Sequence, residues 1–324
     1  MESSVQLDSR CLAELRRSLL TWYDHNRRDL PWRRTSDPYH IWVSEIMLQQ
    51  TRVAAVVVRY GEFLRRFPSV QKLASARESP VLAQWSGLGY YRRARNLHAA
   101  AKIVLRAGNF PQNSENWRAL PGIGRYTAAA IASIAFNEPV AVLDGNVERV
   151  LRRLLGCVHS AETLWNSAQQ LLDHDRPGDF NQAMMELGAT VCLPGQPQCG
   201  NCPIQKFCRT RGRGKTVSRK PRQQCREITY SLARRQNSVF LVCRSKSSSL
   251  MPNMWELPEL ASRKASDKLL FSVRHSITIT DFSVRVVGRM QPDTSGVWVR
   301  ISRLGALPLT GLAKKILRKA GVIQ

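Results

Sequence analysis

Long hydrophobic runs are missing from this chain of 324 residues. No stretch approaches the roughly 18 consecutive apolar residues that a membrane-spanning helix needs, and the opening Met1-Glu2-Ser3-Ser4 lacks the pattern of a secretory signal peptide. These absences predict a cytoplasmic protein with no part in a membrane. The length exceeds that of a usual single domain, so we expect two domains, each large enough to bury its own core.

Acidic residues are scarce: 24 Asp and Glu stand against 49 Lys and Arg, a formal net charge of +25. A field of this sign attracts polyanions, so nucleic acid is the leading predicted partner and an anionic membrane surface the weaker alternative. A solubilising surface or a basic tail would also be positive. The excess is spread along the chain, however, and includes arginines near aromatic residues at Arg27, Arg28, Arg33 and Arg34.

Paired spacing is absent from four of the eight cysteines, Cys11, Cys157, Cys225 and Cys243, which predicts reduced thiols. Thiolates that converge on one point suit soft metals, with a 4Fe-4S cluster and a structural zinc ion as the candidates. A metal site of this kind is predicted at the other four cysteines, because they share a seventeen-residue window. They are Cys192, Cys199, Cys202 and Cys208. Only the second and third of these form a close pair, whereas zinc knuckles usually come as two pairs, so the cluster is favoured over zinc.

Helical spacing of apolar residues extends from Cys11 to about Gly188 and predicts an all-helical first part. The stretch Arg209–Arg226 contains eight basic residues and no acid, which is typical of a solvated linker. Short β-type runs follow at 228–233, 239–243, 282–287 and 297–301, with a helical ending at 312–320. We predict a helical domain over 1–208, a basic linker over 209–226 and a smaller α+β domain over 227–324.

A glycine-rich turn at Leu120–Thr127, followed by an alanine-rich run, has the form of a helix-hairpin-helix. Gly122 and Gly124 would let the backbone approach a ligand closely, and the next helix presents unsatisfied amide groups at its positive end. One DNA phosphate would fit there. An ordinary turn between two helices is the alternative for this motif alone.

Six features follow one another along the chain: Leu30–Arg33, Ser44–Thr51, Gly87–Tyr91, the hairpin, Asp144 and the four clustered cysteines. The same features occur in this order in the MutY family of adenine DNA glycosylases, within the endonuclease III superfamily, and the chain resembles that family over about residues 12–210. The resemblance implies a mainly α, helix-hairpin-helix glycosylase fold with a 4Fe-4S loop, followed by a smaller α+β NUDIX-like domain.

Two carboxylates could carry the chemistry that the resemblance implies. Breaking an N-glycosidic bond to adenine needs an acid that protonates the purine and a negative charge that supports the oxocarbenium-like sugar. Glu45 lies among apolar residues, which would raise its pKa and suit it as the acid. Asp144 would supply the negative charge, and Tyr126 and Asn146 would orient the two carboxylates. Taken singly, Glu45 could face solvent and Asp144 could simply cap a helix.

An enzyme of this kind must rotate the nucleotide out of the duplex into a pocket. Gln50 and Tyr90 resemble the residues that enter the vacated stack, and core packing is the alternative for aromatic residues. Tyr126 stands where bifunctional relatives carry a lysine nucleophile, which implies base removal without strand cleavage. The resemblance implies an adenine pocket. Arg33 and Glu186 would read the polar edges of the base, and Trp32 and Leu48 would contact its faces. Gln182 would make one further contact.

Val239–Arg244 and Trp255–Pro258 resemble the start of the family's NUDIX-like domain, but no glutamate-rich helix follows. We therefore expect no magnesium site and no pyrophosphate hydrolysis. The family reads 8-oxoguanine there with an aromatic, a hydroxyl and a histidine residue. The matching stretch is His275–Ile279, where Thr278 keeps the hydroxyl while Ile277 and Ile279 replace the other two. This departure lowers the expected preference for the lesion.

The resemblance implies a monomeric, nucleoid-associated enzyme that removes adenine mispaired with 8-oxoguanine or guanine from double-stranded DNA. A related glycosylase that removes mismatched thymine is one alternative. A DNA-binding iron-sulfur protein without turnover is the other, and the presence of both Glu45 and Asp144 argues against it.

Overall fold

The computed structural model describes residues 8–156, 160–211, 224–248, 251–261, 267–277, 280–290 and 294–323. The chain divides into two compact units, Met1–Ala74 with Ala99–Ser218, and Ser75–His98 with Arg219–Gln324. The domain bounds taken from the sequence stay a prediction, since they place 75–98 in the helical domain, and most of the predicted linker, 212–223, lies outside the described residues.

Helices dominate the first two thirds of the chain, as predicted. Short 3-10 helices occupy Pro31–Arg33, Cys199–Asn201, Gln205–Phe207 and Ile301–Ala306. The α-helices are α1 (Ser9–Asn26), α2 (Pro38–Leu48), α3 (Val53–Arg66), α4 (Val70–Ala74), α5 (Glu78–Gln84), α6 (Arg92–Ala107), α7 (Ser114–Arg118), α8 (Arg125–Phe136), α9 (Gly145–Leu155), α10 (Ala161–Leu171), α11 (Pro177–Thr190) and α12 (Gly311–Lys319). Among the described residues, no helix combines the length and the apolar character needed to cross a membrane.

Local sequence signals fix where several of these helices begin and end. Short oxygen-bearing side chains satisfy the first free amides of α1, α2, α9 and α10. Those residues are Asp8, Asp37, Asp144 and Ser160. At the other end, α8 and α9 stop at residues in the left-handed conformation, Asn137 and Gly156.

Helix α2 lies in the interior of the first unit. Residues 41–47 are all buried, with Tyr39, as expected for a helix that is apolar on nearly every side. Helix α8 contributes a buried run from Thr127 to Ser133 in which alanine predominates, so that neighbouring backbones can come close. The one charged side chain in the buried part of α2 is Glu45, which places a carboxyl group inside the core.

Glycines let α11 approach α9 and α8. A Cβ atom built on Gly188 would lie 2.7 Å from Asn146 Cβ and 3.0 Å from its carbonyl oxygen. A Cβ built on Gly178 would lie 2.7 Å from the carbonyl oxygen of Ser133. Side chains larger than hydrogen at these two positions would force the helices apart.

The second unit is a sheet-containing region, as predicted for the C-terminal part. One four-stranded sheet has the order β5-β1-β7-β6, with β1 parallel to β7 and β6 antiparallel to it. A second sheet pairs β3 with β2, β4 and β8. The strands are β1 (Gln224–Leu232), β2 (Arg234–Arg235), β3 (Ser238–Cys243), β4 (Trp255–Glu256), β5 (Glu259–Leu260), β6 (Lys268–Ile277), β7 (Thr280–Gly288) and β8 (Val297–Arg300).

Helix α12 packs on this sheet region, where Ile316 and Leu317 join a core with Val284 and Val286. The segment 75–98 is tied to the same unit by the Tyr91 hydroxyl, which donates to the carbonyl oxygen of Leu309 at 3.2 Å. The short β-type runs of the sequence are confirmed as strands, whereas β6 and the two-residue strands β2, β4 and β5 were missed. A partner 218 residues away leaves no trace in local hydrophobic spacing, so the sequence could not assign 75–98 to this unit.

Replacing Gly188 with alanine should destabilise the protein by about 1–3 kcal/mol, because the added Cβ meets the backbone and Cβ of Asn146 rather than the end of a flexible side chain. The free energy of unfolding in urea measures this. Gly145→Ala is the matched control, since no atom lies within 4 Å of its built Cβ, and it should leave stability nearly unchanged. Equal effects of the two substitutions would contradict the packing argument.

Candidate active site

Glu45 is the buried acid of the first unit. Its residue surface is 5% exposed, and burial raises its pKa to about 7. Tyr126 donates a hydrogen bond to Glu45 Oε2 at 3.0 Å and, like Arg33, lowers the pKa, whereas the charge of Asp144 raises it. Burial outweighs the hydrogen bond, so the carboxyl holds its proton close to neutral pH. The alternative of a solvent-facing Glu45 is wrong.

Tyr126 stands in the first turn of α8. Burial raises its pKa well above the usual value, and the charges of Glu45 and Asp144 raise it further. The phenol therefore keeps its proton and acts as a donor towards Glu45. Its hydroxyl also lies 3.2 Å from Met185 Sδ. A neutral phenol beside the acid can orient the carboxyl group but is not placed to be a base.

Asp144 caps helix α9, the structural role that the sequence left open. Its Oδ1 accepts from the backbone amides of Asn146 at 2.9 Å and Val147 at 2.7 Å, and its Oδ2 accepts from Asn146 Nδ2 at 3.0 Å. Three donors from one helix end hold the carboxylate in a fixed orientation. Because its charge reaches Glu45 and Tyr126, the two acids belong to one electrostatic site.

Arg149 fixes the side-chain amide of Asn146 and was missed in the sequence. It donates to Asn146 Oδ1 at 2.9 Å and to the carbonyl oxygens of Gly188 at 2.7 Å and Cys192 at 2.8 Å. Since a guanidinium only donates, the amide must turn its oxygen to Arg149 and its NH2 to Asp144. The i, i+3 spacing of 146 and 149 on a helix was the available signal.

A buried ion cluster surrounds Glu186, which is 0% exposed. Arg28 binds both carboxylate oxygens at 2.7 Å, and Arg33 donates to Oε2 at 2.8 Å. Burial by itself would raise the pKa of Glu186, but the two arginines outweigh it and lower the pKa to about 2. The sequence named Arg33 and Glu186 as readers of adenine but not Arg28. Their mutual pairing leaves that reading role a prediction.

The other three pocket residues occupy different settings. Trp32 is 7% exposed and packs edge-on against Tyr60, with ring centroids 5.4 Å apart, which is the core packing that the sequence offered as its alternative. Leu48 and Gln182 are half-buried, at the end of α2 and on α11. A joint pocket of these residues stays a prediction.

Gln50 and Tyr90 share two properties. Both are exposed, and both have a positive φ, 54° for Gln50 and 46° for Tyr90. Residues with side chains seldom adopt this left-handed conformation, and such strain concentrates at functional positions. Gln49, just before the first, is anchored by a hydrogen bond from its Nε2 to Thr127 Oγ1 at 3.0 Å. Core packing does not describe Tyr90.

The predicted hairpin lies between α7 and α8. Gly122 has a φ of 78°, which the turn requires of a residue without a Cβ. Gly124 caps α8, and nothing lies within 4 Å of a Cβ built on it. Gly124 makes no side-chain hydrogen bond to the first turn of α8, and the amides of a helix start without such a cap are the kind of group that binds anions.

The four clustered cysteines line one pocket, together with apolar side chains that include Val150, Leu154, Leu187 and Ile204. Arg153 donates to Cys192 Sγ at 3.2 Å. Burial first, and then the charges of the other three cysteines of the group, raise the pKa of Cys202 to about 11. Among the residues that the structure describes, no three His, Cys, Asp or Glu side chains are placed to hold one metal ion.

The described residues of the predicted lesion-reading stretch, 275–277, end strand β6, where Ile277 pairs with Thr280 of β7. Thr278 and Ile279 lie outside the described residues, as does Cys157. The hydroxyl of Ser276 donates to Asp281. His275 is half-buried, and burial lowers its pKa.

Comparisons with known proteins place this geometry in context. The model of the HhH-GPD superfamily of base excision DNA repair proteins matches residues 43–173. A human adenine DNA glycosylase is 50% identical over 215 residues, 61% of this chain and 39% of the relative. A mouse adenine DNA glycosylase is 44% identical over 271 residues, which are 77% of this chain and 52% of the relative. The chain thus spans about half or less of the length of these relatives.

Among solved structures, a thermostable thymine-DNA glycosylase has a TM-score of 0.59 and 30% sequence identity. The alignment covers 63% of this chain and 98% of that one. Nearly the whole of that protein is therefore matched.

The contribution of Glu45 to the unfolding free energy should fall by about 3 kcal/mol as the pH rises from about 4.5 to 7, because Glu45 binds its proton more tightly in the folded than in the unfolded chain. The stability present below the unfolded pKa is lost as the pH rises through the folded pKa. Glu45→Gln removes this loss, so its stability relative to wild type should increase over that range. Urea unfolding at pH 5, 6, 7 and 8 measures the difference.

Tyr126→Phe serves as the companion variant. It removes the hydrogen bond that lowers the pKa of Glu45, so the same fall should extend to higher pH. A difference between wild type and Glu45→Gln that does not vary with pH would contradict the raised pKa.

Proposed function

The chain belongs to the HhH-GPD superfamily of base excision DNA repair proteins as a MutY-like member, and we propose that it excises adenine mispaired with 8-oxoguanine or guanine in double-stranded DNA. It acts as a monomer and leaves the strand uncut. The names of the similar curated proteins support adenine as the base. The observation that carries the proposal is a buried acid with a pKa of about 7 in one electrostatic site with a helix-capping carboxylate.

Glu45 acts on the base. A carboxyl with a pKa of about 7 is protonated in a large fraction of molecules at neutral pH and can still release the proton, which is the property a general acid needs. It donates this proton to a ring nitrogen of adenine as the N-glycosidic bond breaks. Tyr126 orients the carboxyl through its hydrogen bond. Adenine then leaves as a neutral base rather than an anion.

Asp144 acts on the sugar. Loss of the base leaves positive charge on the deoxyribose, and a fixed carboxylate stabilises it without having to reorganise. The capping hydrogen bonds from Asn146 and Val147 provide the fixation. Water adds to the sugar cation and releases a proton, which gives an abasic site. With tyrosine at position 126, the chain has no amine there to form a Schiff base with the sugar.

Binding the extruded nucleotide falls to the other candidates. Trp32, Leu48 and Gln182 contact the base, Arg33 and Glu186 read its edges, and Arg28 holds Glu186 in place. Gln50 and Tyr90 enter the duplex from exposed, strained positions. Gly122 and Gly124 hold a phosphate at the start of α8. The net charge of +25 draws the duplex to the protein.

Cys192, Cys199, Cys202 and Cys208 would hold a 4Fe-4S cluster. The donor set fits the group in kind, because four cysteine sulfurs line one largely apolar pocket and cysteine thiolates are the ligands of such clusters; Arg153 donates to Cys192 Sγ. When bound, the cluster supplies a rigid centre for the loop and a redox-active group, neither of which acts on adenine. A structural zinc ion is the alternative occupant.

The second unit serves lesion recognition as a NUDIX-like domain. Its mixed sheet and the β6–β7 hairpin support this assignment, with Thr278 as the hydroxyl contact to 8-oxoguanine. The predicted nucleoid location follows from DNA as the partner.

Single-turnover release of adenine from duplexes with adenine opposite 8-oxoguanine or guanine tests the proposal. Glu45→Gln should slow release by about 10²–10⁴-fold, and wild-type release should fall as the pH rises through 7, since the acid loses its proton. Glu148→Gln, at a half-buried glutamate on α9 that pairs with Arg152, is the control and should match wild type. Preferential release of thymine would identify a thymine glycosylase. Duplex binding without release of either base would identify a non-catalytic protein.

The purified protein should contain about four iron atoms per chain and absorb visible light, as a 4Fe-4S cluster does. Cys208→Ser should lower the iron content, whereas Cys243→Ser, an exposed thiol of the second unit, should not. Metal analysis that finds one zinc ion and no iron would replace the cluster with the alternative site.

A further inference from the structure

The turn that carries Tyr90 has an unusual backbone. Gly87, Gly89 and Tyr90 have φ values of 98°, 69° and 46°, so three of the four residues 87–90 lie in the left-handed region. Glycine tolerates this conformation, but a residue with a side chain does so at a cost. The Tyr90 residue is nevertheless 47% exposed. Neighbouring groups must therefore hold the turn.

Arg93 and Trp85 hold it from the inside. Arg93 is 9% exposed, and its NH2 group donates to the carbonyl oxygens of Leu88 at 2.9 Å and Gly89 at 3.2 Å. Trp85 Nε1 donates to the same Gly89 oxygen at 3.1 Å. The backbone amide of Arg93 binds the carbonyl oxygen of Tyr90 at 2.9 Å. The carbonyl groups of the turn are thus fixed by side chains that lie below it.

Arg93 also contacts the exposed ring. Its guanidinium carbon lies 5.5 Å from the centroid of the Tyr90 ring and 5.5 Å from that of the Trp85 ring. Burial lowers the pKa of Arg93 to about 10, which still leaves it charged at neutral pH. A cation attracts the face of an aromatic ring, more strongly where water is excluded. One buried cation therefore restrains both the backbone and the side chain of Tyr90.

We propose that Arg93 is a positioning residue that holds the Tyr90 ring outward as a preformed wedge for the DNA stack. This rests on the proposed function, in which Tyr90 enters the duplex. A wedge that is already ordered loses little conformational freedom when it inserts, so more of the contact energy remains for unstacking the base. Arg93 itself touches no substrate atom and acts through Tyr90.

The test follows base unstacking directly. A duplex with adenine opposite 8-oxoguanine carries 2-aminopurine beside the mispair, and its fluorescence rises when the neighbouring stack opens. The variants are Arg93→Met, Arg93→Lys, Tyr90→Ala and the double variant Tyr90→Ala/Arg93→Met. Arg106→Met is the matched control, because it removes one positive charge from the exposed far end of the same helix α6.

Arg93→Met should slow both the fluorescence rise and the release of adenine by about 3- to 30-fold, and Arg93→Lys, which keeps the cation, should recover part of the loss. Arg106→Met should behave as wild type. In the Tyr90→Ala background, Arg93→Met should have no further effect. Release from single-stranded DNA, which needs no wedge, should not change.

Equal slowing by Arg93→Met with and without Tyr90, or an unchanged rise in Arg93→Met, would overturn the proposal. If thermal unfolding shows that Arg93→Met does not fold, the same cycle with Arg93→Lys decides. The fluorescence measurement requires binding but not excision. A wild-type protein that opens the stack without releasing adenine would therefore refute the proposed function and leave the role of Arg93 standing.

Discussion

The carboxyl group of Glu45 belongs to helix α2, whose residues 41–47 are all buried. A charged carboxylate without water around it has a high free energy, so the carboxyl group keeps its proton up to a pH of about 7. Burial is the largest influence on this pKa; the hydrogen bond from the neutral Tyr126 phenol lowers it, and the nearby charge of Asp144 raises it. An acid of ordinary pKa on an exposed helix face could not perform the proposed chemistry at neutral pH.

The two carboxylates lie in different settings and have different proposed roles, one towards the base and one towards the sugar. Glu45 is enclosed, whereas Asp144 sits at a helix end and is held by amides that the helix leaves free. A chain of hydrogen bonds extends from Asp144 through Asn146 and Arg149 to the carbonyl oxygen of Cys192. The position of the capping carboxylate therefore depends on packing between α9 and α11, and on the loop that bears the cysteines.

Positive charge is used in two distinct ways in this chain. Most of the net charge of +25 suits a polyanionic partner at long range. Arg28 and Arg33 are instead paired with the buried Glu186, and Arg93 lies under the Tyr90 turn. These inward-facing cations order side chains that the proposal brings to the DNA, so their contribution is geometric as much as electrostatic.

The sequence by itself determined the helical first part and the hairpin at Leu120–Thr127, because each depends on local spacing or on the conformational range of single residues, and it left the capping of a helix by Asp144 as an alternative. It also predicted the raised pKa of Glu45, since the apolar residues beside it in sequence surround it in the structure as well. Only the tertiary structure decided what is paired over long distances. Arg28 meets Glu186 across 158 positions, and the segment 75–98 joins the C-terminal unit. Such contacts depend on how helices pack in space, which periodicity along one helix does not encode.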